Sequence, residues 1–126
     1  MKNGVPEKLV NVMIVDDDPL IRQLYKELLS RANYEIIGEA ANGDEALQRF
    51  KELEEQIDLI LMDHKMPKKD GLTVAQEIIQ NNPGIKILMI TGDSTLNSKL
   101  LLECGIKHRQ KPINIKEIMI AIEGLV

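Results

Sequence analysis

The stretch Asp58-Leu59-Ile60-Leu61-Met62-Asp63-His64-Lys65-Met66-Pro67 decides how this chain folds. It is apolar without interruption from Leu59 to Met62, and such a run reads as a strand buried on both faces, the kind found in parallel sheets. Met66-Pro67 and then Asp70-Gly71 are breakers, so the chain leaves the sheet just after Asp63. A carboxylate at the carboxyl end of a parallel strand sits where open α/β sheets place their ligands. Alone, Asp63 could equally be an ordinary solvated strand end. Its meaning depends on what the other strands end in.

Working outward, the segment before this strand carries Ala46, Leu47, Phe50 and Leu53 at helical spacing, after an Asn42-Gly43-Asp44 turn in which Asp44 is the expected cap. Residues 35–40 form a shorter strand. Before them, Leu20, Ile21, Leu24, Leu28 and Leu29 make a helical stripe behind Asp18-Pro19, which reads as an N-cap and first helical residue. Residues 9–15 are the first strand, and residues 1–8 a polar lead-in. On the other side, a helix is expected over 72–81 with Val74, Ala75, Ile78 and Ile79 inward. There Asp70 and Gly71 read as turn residues, Gly71 tolerating a positive φ. Residues 85–90 are an apolar strand ending at Thr91, and residues 94–103 a helix closed by Gly105. Residues 106–110 are a poor strand, because Lys107, His108, Arg109 and Gln110 are polar. Lys111-Pro112 breaks it, and Ile115, Ile118, Met119 and Ile122 mark a last helix. Strands alternating with helices predict an α/β protein: a doubly wound, five-stranded parallel sheet, (βα)5 and flavodoxin-like. All 126 residues fit a single domain with its core over about 9–123.

Composition narrows the function. A net charge of −4 leaves no electrostatic footprint for nucleic acid or an anionic membrane. With one Phe, two Tyr and no Trp there is no base-stacking platform. The single cysteine, Cys104, rules out an internal disulfide and reads as a small buried residue in a reducing compartment. The apolar runs are too short to span a bilayer, and the first one ends in three aspartates instead of a small-residue cleavage site. The cytoplasm is therefore the expected location.

The strand ends carry the chemistry. Asp16 and Asp17 follow the first strand, Asp63 the third, Thr91 the fourth and Lys111 the fifth, all on one rim of a parallel sheet. Crowded carboxylates repel and call for a cation, and an oxygen-only set suits a hard ion such as Mg²⁺. A hydroxyl and an ammonium facing that ion are what a phosphoryl group requires. An aspartate can itself be the nucleophile, forming an acyl phosphate.

Val15-Asp16-Asp17, Leu61-Met62-Asp63-His64-Lys65-Met66-Pro67-Lys68-Lys69-Asp70-Gly71, Thr91-Gly92 and Lys111-Pro112 together resemble the receiver domain of two-component response regulators, in its single-domain, chemotaxis-regulator-like form. The resemblance implies that Asp63 accepts a phosphoryl group from a sensor histidine kinase or phosphotransfer protein. It also implies that Asp17, Asp63 and the backbone carbonyl of Lys65 ligate Mg²⁺ while Asp16 holds a metal-bound water. Thr91 would then hydrogen-bond the phosphoryl oxygens and Lys111 pair with them, the Lys111-Pro112 peptide being cis in many members. The implied protein is a signalling switch that catalyses only its own phosphorylation and dephosphorylation. Its partner would be a downstream effector protein, with a phosphorylation-dependent dimer as a further possibility and no direct binding to nucleic acid or membrane. His64 is expected to be a partly exposed lining residue that modulates access.

The chain departs from the family pattern in one segment. His108 stands where receivers usually carry the Phe or Tyr that switches together with the Thr, and Arg109 where they carry a buried apolar residue. Either His108 replaces the aromatic switch residue, or the last strand is short, distorted or re-registered; the second reading is slightly favoured. Two other readings use the same topology. A binding-only scaffold would be marked by loss of Asp63 or Lys111, both present. A flavin-binding protein would need a Ser/Thr/Gly-rich phosphate loop after the first strand, where this chain has three acids.

Overall fold

β-branched and apolar residues build the strands, and their alternation builds the layers. The computed structural model describes residues 9–64, 70–91, 101, 106–110 and 115–124. The strands are β1 (Val10–Val15), β2 (Tyr34–Ala40), β3 (Leu59–Asp63), β4 (Lys86–Thr91) and β5 (Lys107–Gln110). The helices are α1 (Pro19–Leu29), α2 (Gly43–Leu53), α3 (Gly71–Asn81) and, after β5, α4 (Ile115–Glu123). The strands pair in the order β2-β1-β3-β4-β5, every pair parallel.

Successive residues of a strand point to opposite faces. Met13, Val15, Ile60, Met62, Ile87 and Met89 accordingly pack on one side with Ala46 and Phe50 of α2 and Val74, Ala75 and Ile78 of α3. Their sequence neighbours Val12, Ile14, Leu59, Leu61, Leu88 and Ile90 pack on the other side with Tyr25 and Leu29 of α1 and Ile118, Ala121 and Ile122 of α4. The sheet is thus covered on both faces, as the unbroken apolar run of β3 requires, and the fold is a flavodoxin-like α/β fold. From β1 the chain moves one way to β2 and the other way to β3, so the order reverses between β1 and β3. Open α/β sheets leave a crevice at that point, outside the carboxyl ends of the strands.

Several expectations are corrected. In α1 the inward face carries Tyr25 and Leu29, whereas Leu20 and Leu24 are exposed at 78% and 46%. The cap of α2 is Asn42, whose side chain accepts from the Glu45 backbone N–H at 2.9 Å; Asp44 lies in the first turn. The Glu45 carboxylate accepts in return from the Asn42 side chain at 2.9 Å, a reciprocal cap. Asp70 is a true N-cap, accepting from the Thr73 N–H at 2.9 Å, and α3 starts at Gly71. Gly71 is therefore helical, with no positive φ. β2 starts a residue early, at the buried Tyr34, and bulges where the register passes from Val12–Ile36 to Met13–Gly38.

β5 is short, as expected, and its ladder is regular: Lys107 to Gln110 pair in unbroken sequence with Leu88 to Thr91. The preceding Ile106, expected in the strand, is buried just ahead of it. The side chains of His108 and Arg109 lie outside the described residues, as do Lys65, Cys104, Gly105, the Lys111-Pro112 peptide and, Leu101 apart, the expected helix over 94–103. No helix among the described residues is long and apolar enough to cross a membrane.

Candidate functional site: an acidic cluster at the strand ends

β1 delivers two aspartates where it leaves the sheet. The backbone N–H of Asp16 still donates to the Ala40 carbonyl of β2 at 3.1 Å, which holds that residue in line with the sheet. Asp16 is buried and Asp17 is exposed. Asp18 turns the chain into α1: its N–H donates to Asp16 Oδ1 at 2.9 Å, and its own Oδ1 accepts from the Leu20 N–H at 2.9 Å. The expected helix-capping role of Asp18 is what its geometry provides.

β3 delivers the third carboxylate, Asp63, 6% exposed and paired with Ile90 of β4. Each of Asp16, Asp17 and Asp63 offers a carboxylate oxygen, and the three oxygens lie within 4.8 Å of one another. All donors are hard oxygens, two buried and one open to solvent. That set fits an oxygen-seeking divalent ion that enters from the exposed side and keeps waters in its shell. Thr91, at the carboxyl end of the neighbouring β4, is buried, and its Oγ1 lies 3.4 Å from Nδ1 of His64.

The segment after Asp63 is held closely. The His64 N–H donates to the Ile90 carbonyl at 3.1 Å, and the His64 carbonyl accepts from the Gly71 N–H at 2.6 Å. A Cβ on Gly71 would stand 2.4 Å from the Asp63 carbonyl oxygen and 2.8 Å from the His64 Cα. Only glycine allows the start of α3 to press against the end of β3, so Gly71 serves by close approach, not by φ.

Two further groups interact with the cluster and were not singled out from the sequence. Arg22 Nη1 donates to the backbone carbonyl of Asp16 at 2.6 Å, while its Nε donates to Glu39 at 3.1 Å. Lys26 Nζ reaches the other Glu39 oxygen at 3.0 Å, and that hydrogen bond is the main reason the Glu39 carboxyl is held below the usual carboxylate range. The Asp16 turn is thereby tied through Arg22 to the end of β2. Tyr25 is the second group. Burial pushes its phenol up to about 12, and the charges of Asp16 and then Asp63 push in the same direction.

Of the sequence candidates, Asp16, Asp17 and Asp63 are therefore brought together, with Thr91 buried one strand over. Lys65 and Lys111 lie outside the described residues, and of His108 only the backbone is described. His64 was expected to be partly exposed. It is buried instead, because its ring turns inward to the Thr91 hydroxyl.

Known proteins resemble this chain in sequence and fold. Residues 12–123 match the family model described as the response regulator receiver domain. The chain is 40% identical over 105 residues to the chemotaxis protein CheY of Thermotoga maritima, covering 83% of each. It is 36% identical over 124 residues to the Arabidopsis thaliana two-component response regulator ARR22, covering 96% of this chain and 87% of the relative. Among solved structures it resembles the CheX-CheY-BeF3-Mg²⁺ complex of Borrelia burgdorferi, with TM-score 0.83, 26% identity, and coverage of 96% of this chain and 90% of that one. With the acidic cluster at the switch point of the sheet and the family match across nearly its whole length, the chain belongs to the receiver domains of two-component response regulators.

Proposed function

We propose that this receiver domain is a phosphorylation-activated switch in which Asp63 takes a phosphoryl group from a histidine kinase or phosphotransfer protein. The observation that carries the reading is the convergence of Asp16, Asp17 and Asp63 within 4.8 Å at the crevice between β1 and β3. A carboxylate oxygen of Asp63 attacks phosphorus; the P–O bond forms as the P–N bond of the donor phosphohistidine breaks, and the leaving imidazole takes up a proton. Asp17 and Asp63, with the carbonyl of Lys65, would hold Mg²⁺, and Asp16 a water of its shell. When bound, the ion neutralises charge on the phosphoryl oxygens. The Thr91 hydroxyl donates to one of those oxygens and the Lys111 ammonium pairs with another. The burial of Asp63 keeps bulk water from the resulting acyl phosphate.

In this reading residues of about 9–123 make up one (βα)5 receiver, with His108 acting with Thr91 as a switch residue. The phosphorylated form binds a downstream effector protein in the cytoplasm, with self-dimerisation as a second output and no direct contact with nucleic acid. It turns over no metabolite; hydrolysis of its own acyl phosphate resets it. Intact mass after incubation with a small-molecule phosphodonor tests the assignment. One added phosphoryl group is expected with Mg²⁺, none with chelator, and none in folded Asp63→Asn. Undiminished labelling of that variant would refute Asp63 as acceptor.

A further inference from the structure

His64 immediately follows the proposed acceptor, and the mechanism above makes no use of it. Its side chain is nonetheless buried against Thr91, with Nδ1 3.4 Å from the hydroxyl oxygen. The backbone that carries the ring is pinned on both sides, by Ile90 through its N–H and by Gly71 through its carbonyl. The imidazole is therefore presented to Thr91 from a fixed base. A hydroxyl has one proton to donate, which it can give to the ring or to a phosphoryl oxygen but not to both. A contact at 3.4 Å is at the long end for a hydrogen bond, so it can be exchanged for a charge-assisted one.

We propose that His64 is a positioning residue: its Nδ1 accepts the Thr91 hydroxyl proton in the unphosphorylated protein, and Thr91 must leave this partner to engage a phosphoryl group on Asp63. The inference rests on the reading of Thr91 as a phosphoryl ligand. It adds that the neighbouring side chain sets how readily the ligand becomes available, because the contact Thr91 makes to a phosphoryl oxygen is offset by its lost contact to the ring. His64 in this account touches no reacting atom. It biases the switch toward the resting form.

Two measurements test it. In the resting protein, ¹⁵N NMR of His64 is expected to show an unprotonated, hydrogen-bonded Nδ1 and a protonated Nε2; a protonated Nδ1 would overturn the proposal without any variant being made. The second is titration with fluoroberyllate in the presence of Mg²⁺, followed by NMR. His64→Leu is expected to lower the half-saturating concentration about fivefold, the worth of one ordinary hydrogen bond. His64→Asn, which can place an acceptor near the Nδ1 position, is expected to stay near wild type. In a Thr91→Ala background, His64→Leu is expected to change nothing. Unchanged or weaker binding by His64→Leu, alongside normal wild-type binding, would overturn the role of His64 alone. No Mg²⁺-dependent binding by the wild type would overturn the underlying phosphoacceptor reading, and this inference with it.

Discussion

Tyr25 senses the acidic cluster from within the core. Its phenol is pushed up to about 12, first by burial, then by Asp16 and then by Asp63. Tyr34, the other tyrosine, is also raised, by burial and then by Glu123. A raised phenol stabilises the fold fully below its unfolded value of 10.0, and that contribution is lost as pH rises through about 12. Ultraviolet titration should therefore show both tyrosines ionising late, and Asp63→Asn should bring Tyr25 down while leaving Tyr34 in place. A Tyr25 titration unmoved by Asp63→Asn would contradict the placement of the cluster beside it. At this scale the sequence was legible where chemistry alone names a residue: three carboxylates and a hydroxyl at strand ends. It was not legible where the role depends on tertiary approach. Gly71 reads as a turn glycine until the Asp63 carbonyl is seen 2.4 Å from where a Cβ would lie, and His64 reads as a rim residue until its ring is found against Thr91.

At the scale of elements, β1, β3 and β4 were legible because parallel strands buried on both faces are almost continuously apolar. β5 is polar in sequence, yet it pairs regularly with β4, since backbone hydrogen bonds do not depend on side-chain type. Helix faces were harder. The apolar residues of α1 cover a wider arc than the sheet accepts, so Leu20 and Leu24 stay outside while Tyr25, absent from the expected stripe, goes in. This division has a measurable consequence. Leu29→Ala, at a fully buried position, should cost about 2–5 kcal/mol in denaturant unfolding, whereas Leu20→Ala should fall within about 0.5 kcal/mol of wild type. Equal effects would mean that α1 is rotated from the orientation described. Caps follow the same lesson: Asn42 and Asp44 are both good capping residues, and which one caps depends on where β2, ending at Ala40, releases the chain.

At the scale of the molecule, the reversal of strand order between β1 and β3 turns residues far apart in sequence into one site. Asp16 and Asp17 on one side and Asp63 on the other meet because parallel strands place all their carboxyl ends on one rim. Three acids held together disfavour the folded state until a cation joins them, so Mg²⁺ should raise the thermal midpoint. The gain approaches about 2.7 kcal/mol when the ion is at about a hundred times its Kd, and it should be largely lost in Asp17→Asn. Equal stabilisation of that variant would place the ion elsewhere. The most direct test of the central claim is chemical trapping. The protein is incubated with phosphodonor and Mg²⁺, reduced with borohydride, which converts an acyl phosphate to an alcohol, and mapped by peptide mass. The account predicts reduction at Asp63 alone, dependent on both donor and Mg²⁺. Reduction at another carboxylate, with Asp63 recovered unchanged, would contradict it.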